Sequence, residues 1–136
     1  MRKNKLEKIK GRRSSGGFLG VPSSLLQHEN YIGLSSHAVK LLFDLGAQYN
    51  GGNNGDLCAT WSLMRKRGWK SQDTLYKALK ELLHAGFIIN ARQGGRHRAT
   101  LYALTWKKID ECKGKLDISS TIAPPADWVR IKNERK

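Results

Sequence analysis

Between Ser71 and Gly86 the chain reads SQDTLYKALKELLHAG, and this stretch limits the folds open to it more than any other. Ser71 stands where a helix needs a side-chain oxygen for its free N–H groups. Asp73 follows in the first turn, where negative charge suits the helix dipole. At about 100° per residue, Leu75, Ala78, Leu79 and Leu82 fall on one side, with Leu83 at its margin. Asp73, Lys77, Lys80 and His84 point away from that side, while Thr74 and Tyr76 flank it. Gly86 supplies the stop. The residues that follow, FIINAR, a QGG turn and RATLYALT, are β-rich and predict a two-stranded hairpin with Arg92, Arg96, His97 and Arg98 near its tip.

The preceding segments supply partners for the apolar stripe. Pro22 with Ser23 or Ser24 predicts a short helix covering Leu25 and Leu26. LSSHAVKLLFDLGAQYN predicts a longer helix capped by Ser35, with Ala38, Leu41, Leu42 and Leu45 on its buried face. The turn-forming run YNGGNNG ends it. DLCAT has room for a brief strand only. Thr60 is placed to cap a two-turn helix over WSLMRKR, which Gly68 ends. Beyond the hairpin the chain is polar, with a weak helix and a proline pair. Trp106 and Trp128 are its candidate anchors to the core.

The 136 residues suit one compact domain with tails. They hold 25 Lys plus Arg against 11 Asp plus Glu, a formal net charge of +14. Such an excess repels itself unless a polyanion relieves it, and nucleic acid is the commonest polyanion, with anionic membrane second. No apolar run reaches bilayer length. Residues 1–17 are basic and end in SSGG, which predicts a disordered arm rather than a secretory signal. Cys58 and Cys112 lie far apart without metal spacing and read as ordinary thiols of an intracellular protein.

Catalysis has little support. His28, His37, His84 and His97 form no metal-spaced pair with a cysteine or an acid. Asp44, Asp56, Asp73 and Asp110 are scattered. QGGRHR lies between two strands, so it is no phosphate loop. No cofactor and no enzymatic activity are expected.

The order helix, short strand, helix, tight turn, helix, hairpin is that of a winged helix. SQDTLYKALKELLHAGFI resembles the recognition helix and first wing strand of bacterial winged-helix regulators of the GntR type. The matching residues are Ser71, Thr74, Leu75, Ala78, Leu79, Leu82, Gly86, Phe87 and Ile88, with Gly94 and Gly95 continuing into the wing. The resemblance runs from about residue 35 to residue 105. It departs after the wing, where GntR-type regulators carry an effector domain and this sequence has about thirty residues. The chain is therefore closer to the small single-domain winged-helix proteins of plasmids and phages. The resemblance implies an α+β fold: a winged helix-turn-helix with a three-helix core and a two-stranded β-wing over residues 18–106. A flexible basic arm (1–17) would precede it and a C-terminal extension (107–136) would follow. It also implies a bacterial cytoplasmic, nucleoid-associated protein of a mobile element, active in transcription regulation or replication.

A helix fits the major groove of DNA and reads base edges through its first residues. Here these are Ser71, Gln72, Asp73 and Thr74, then Tyr76 and Lys77. Gln72 suits adenine bidentately, and Asp73 either accepts from cytosine or only favours the helix end. Lys77 and Lys80 suit phosphates, which position without reading sequence. Arg65, Lys66, Arg67 and Lys70 crowd the turn before the helix; one or two of them can be mere helix-end cations, and the set as a whole favours phosphate clamping. Trp69 reads as a core plug over that turn. Arg92, Arg96, His97 and Arg98 suit phosphates or a narrow minor groove, the alternative being a charged edge that blocks aggregation. The expected partner is double-stranded DNA, with RNA ranked lower. A homodimer is compatible with the sequence, through Phe18, Leu19 and Val21 or the tail around Trp128. A different class of function also stays open: a non-catalytic adaptor or inhibitor that engages a protein partner in a nucleic-acid complex.

Overall fold

The computed structural model describes residues 17–130, so the basic arm falls almost wholly outside the described residues. The fold is α+β. Five helices are described: α1 (Ser23–Gln27), α2 (Glu29–Ile32), α3 (Ser36–Gly46), α4 (Trp61–Met64) and α5 (Gln72–Ala85). Strands β1 (Ile88–Arg92) and β2 (Leu101–Leu104) pair antiparallel after them.

The two long helices begin and end as their sequences dictate. Ser35 Oγ accepts the Ala38 N–H at 3.1 Å, and Ser71 Oγ accepts the Thr74 N–H at 3.2 Å. Ala38, Leu41, Leu42 and Leu45 of α3 are buried, and so are Leu75, Ala78 and Leu82 of α5, while Leu79 and Leu83 are half-buried beside them. The stripes face each other, and α3 packs on α5. Burying a leucine such as Leu82 contributes about 1.5–3 kcal/mol. Glu81 of α5 adds a polar lock: its carboxylate accepts the Ser35 N–H at 2.8 Å and the Ser35 hydroxyl at 2.7 Å. Gly86 ends α5 at φ 86°, and a Cβ there would lie 2.5 Å from the Asp127 carbonyl oxygen. The close approach of the extension, as well as the helix stop, thus excludes a side chain.

Several elements differ from their sequence expectation. In α1 only Leu25 is buried; Leu26 is 40% exposed. Thr60 precedes α4 without a capping bond. That helix is α-helical for one turn and then tightens into a 3-10 turn over Arg65–Arg67, which Gly68 ends at φ 97°. DLCAT contributes a single bridge, Leu57 to Tyr102, closed by N–H···O bonds of 2.7 and 3.3 Å. The hairpin tip is not the glycine pair. Gly95 and Arg98 bridge each other, so Arg96 and His97 form the turn while Gly94 lies on its rising limb, where a Cβ would meet the Thr100 backbone nitrogen at 2.5 Å.

The hairpin is covered on both faces. Ile88, Tyr102 and Leu104 join the helical core, whereas Ala91 and Ala103 meet Ile109, with Ile89, Leu116 and Ile118 packed around them. Ala91 is the extra residue at a shift of register between Asn90 and Arg92. Residues after the wing therefore form the second layer. Their backbone ties back through Asp117 N–H to the Ala91 carbonyl and Ala126 N–H to the Thr105 carbonyl. Trp106 donates to the Gly20 carbonyl at 2.8 Å, and Trp128 stacks on Phe87 at 6.3 Å between ring centres. Both tryptophans are core residues, as their isolation in a polar segment suggested. Asn54, fully buried, joins the two layers: its amide donates to the carbonyls of Leu104, Lys107 and Lys108 and its oxygen accepts the Leu104 N–H at 2.7 Å.

Candidate nucleic-acid interface

The segment from Trp61 to Lys80 holds six cations and one exposed acid. The sharp turn at Gly68 and the buried Trp69 bring the cations of the 3-10 turn to the N-terminal end of α5. Arg65, Lys66 and Lys70 are exposed and meet no carboxylate among the described residues. Gln72, Asp73 and Tyr76 are exposed on the first turns of α5, with Ser71 spent on the cap and Thr74 half-buried. Lys77 is tied to Asp73 at 3.2 Å, with 76% and 72% of their side chains exposed. Such an exposed pair contributes little and opens easily. Lys80 lies over the Tyr76 ring at 5.2 Å. Of the residues expected to read bases, Gln72 makes no side-chain hydrogen bond within the described residues, while Asp73 already has an electrostatic partner.

Asp44 of α3 is a residue that the sequence reading left unassigned. Its carboxylate, 5% exposed, accepts from Trp69 Nε1 at 2.8 Å and Arg67 Nε at 2.9 Å, with Lys40 Nζ at 3.1 Å. Burial works against its charge, but the bonds from Trp69, Arg67 and Lys40 outweigh burial, and the pKa lies below the ordinary 3.8. The position carried a signal: an acid at the margin of an apolar helical stripe needs partners, and Lys40 stands one turn earlier. Trp69 is the plug that the sequence suggested, and its indole N–H explains why a tryptophan rather than a phenylalanine suits this turn. His37, Lys40, Gly68, Trp69, Lys70, Ser71 and Thr74 line a shallow cleft of about 170 Å³ between α3 and α5. His37 and Lys40 are further residues at this face that sequence spacing did not single out.

The wing arginines divide by their bonds. Arg92 Nη2 donates to the Ala99 carbonyl at 2.9 Å, and its Nε is buried without a hydrogen-bond partner among the described residues. Arg98 donates to the Gln93 carbonyl through Nε and Nη2, at 3.2 and 3.0 Å. Both side chains thus brace the loop they stand on. Arg96 and His97, at the tip, are exposed and make no such bond among the described residues.

Elsewhere the segments expected to mediate dimerisation are largely consumed. Leu19 and Val21 pack against the core and Trp128 is buried, leaving Phe18 83% exposed. No described helix is long and apolar enough to cross a membrane. Set against family models, curated proteins and solved structures, the chain matches none.

Proposed function

We propose that this chain is a winged-helix protein that binds double-stranded DNA, serving a mobile element as a transcription regulator or replication accessory. In this reading α3, α4 and α5 form the three-helix core, Leu57 supplies the short first strand, and β1–β2 form the wing. The N-terminal turns of α5 lie in the major groove, with Gln72 as the base reader. Arg65, Lys66, Arg67 and Lys70 hold the phosphates beside it, and Arg96 at the wing tip reaches the adjacent backbone or minor groove.

The observation that carries the reading is that Arg65, Lys66 and Lys70, beside the exposed first turn of α5, meet no carboxylate among the described residues. Cations wholly neutralised by neighbouring carboxylates would have little charge left for a polyanion. Unpaired cations in a chain of net charge +14 repel one another until a polyanion neutralises them. Selection from a randomised duplex pool tests the assignment of Gln72. The wild-type chain enriches one motif, whose symmetry reports whether two copies bind together, and Gln72→Ala relaxes the preference at one or two adjacent positions. An unchanged motif in Gln72→Ala removes Gln72 from the reading.

A further inference from the structure

Arg67 differs from its neighbours Arg65 and Lys66 in being held. Its Nε–H is bound at 2.9 Å by the Asp44 carboxylate, which is fixed in turn by the Trp69 indole and the Lys40 ammonium. The contact uses only Nε. The two terminal amino groups find no partner among the described residues, and the side chain remains 47% exposed. A guanidinium is planar, so holding it at Nε also fixes the direction in which its terminal N–H pair points. That pair matches two oxygens of a phosphodiester. The carboxylate faces two cations, Arg67 and Lys40, so the cluster keeps a net positive charge while it is anchored.

We propose that Asp44 is a positioning residue for phosphate recognition: its buried carboxylate holds Arg67 as a fixed two-pronged donor to one backbone phosphate of the bound duplex. This inference rests on the duplex-binding reading. It makes a prediction opposite in sign to simple electrostatics. Asp44→Asn removes a negative charge from a protein that binds a polyanion, which by charge alone strengthens binding. Loss of positioning weakens it.

The test uses the full chain and a random-sequence duplex, with affinity read by fluorescence anisotropy across a salt series and folding checked by circular dichroism at the same temperature. Asp44→Asn is expected to bind roughly tenfold more weakly at equal salt, about the loss of one hydrogen bond to a charged group. Its log–log salt slope is expected to be shallower by about one, the loss of one phosphate contact. Arg67→Lys keeps the charge and, being at the surface, the fold, but lacks the terminal pair; it is expected to lose a similar factor. The double variant is expected to be no weaker than either single one. Asp44→Asn binding as tightly as the wild type, or tighter, overturns the positioning role and leaves the duplex reading standing. Wild-type affinity in Arg67→Lys overturns it even if Asp44→Asn fails to fold. A wild-type chain that binds no duplex overturns both.

Discussion

The stretch from Trp61 to Lys80 and the extension after the wing use the same residue types for opposite ends. Residues 107–130 carry five cations and four acids. Lys108 meets Asp110 at 2.9 Å, Lys115 meets Asp56 at 2.9 Å, and Arg130 meets Asp127 at 2.8 Å. Three of the five cations there are paired, and the pairs join the extension to itself and to Asp56, just after the NGGNNG loop. Between Trp61 and Lys80, six cations face one exposed acid, and the two that are paired, Arg67 and Lys77, leave Arg65, Lys66, Lys70 and Lys80 without a carboxylate among the described residues. The molecule therefore has a segment in which most cations meet a carboxylate and a segment in which, among the described residues, most do not. The two segments differ both in net charge, about balanced in one and strongly positive in the other, and in how many of their cations are partnered.

The sharpest way to break this contrast is to remove the same number of cations from each segment. Replacing Arg65, Lys66 and Lys70 by alanine is expected to weaken duplex binding by about a hundredfold and to make the log–log salt slope shallower by about three. The melting temperature should stay at the wild-type value, because these side chains make no hydrogen bond or ion pair among the described residues. Replacing Lys108, Lys115 and Arg130 is expected to do the reverse. Affinity should stay within about threefold at moderate salt, while the melting temperature falls as the extension loses its ties to Asp110, Asp56 and Asp127. Equal effects of the two triple variants on binding would mean that general charge, not a face, attracts the polyanion.

The wing sharpens the comparison within one loop. Arg96→Ala is expected to weaken binding severalfold and leave the melting temperature unchanged. Arg98→Ala removes two bonds to the Gln93 carbonyl and is expected to cost about 1 kcal/mol of stability as well. Thermal melts of the two variants side by side separate a contact from a brace.

The smallest effect expected is in pH. The folded pKa of Asp44 lies below its unfolded value, so its contribution to stability is fully present above the ordinary 3.8 and is lost as pH falls through the lower folded value. The difference in melting temperature between wild type and Asp44→Asn should therefore be constant from neutral pH to about 5 and shrink below about pH 4. A difference that grows on acidification contradicts the ion cluster seen around Asp44.

The helical half of the molecule was legible because its information is local. Ser35 and Ser71 cap the helices they precede, Gly68 and Gly86 take the left-handed turns their positions implied, and the leucines of α3 and α5 follow helical period. The extension was illegible for the opposite reason. Ile109, Leu116 and Ile118 have no period, and their place under the second face of the hairpin depends on long-range bonds such as Asp117 N–H to the Ala91 carbonyl. Asn54 is a similar case, since nothing in NGGNNG marks one asparagine as fully buried and the others as not. At the candidate interface, residue type and neighbourhood were legible, and partnering was not. Sequence grouped four wing residues together, yet Arg92 and Arg98 are bound to the wing's own carbonyls while Arg96 and His97 are exposed at the tip and make no side-chain bond among the described residues. It also placed Lys77 among the phosphate ligands without its Asp73 partner, and it assigned Asp44 no role.

The central claim is that the cations from Arg65 to Lys80, with the wing tip, form a duplex-binding face. Its most direct test is the affinity of the wild-type chain for a short DNA duplex over a series of salt concentrations. If Arg65, Lys66, Arg67, Lys70, Lys80 and Arg96 each neutralise a phosphate, the logarithm of affinity should fall against the logarithm of salt with a slope of about −5. A slope near zero, or no binding at about 50 mM salt, where six such contacts hold most strongly, would contradict the account.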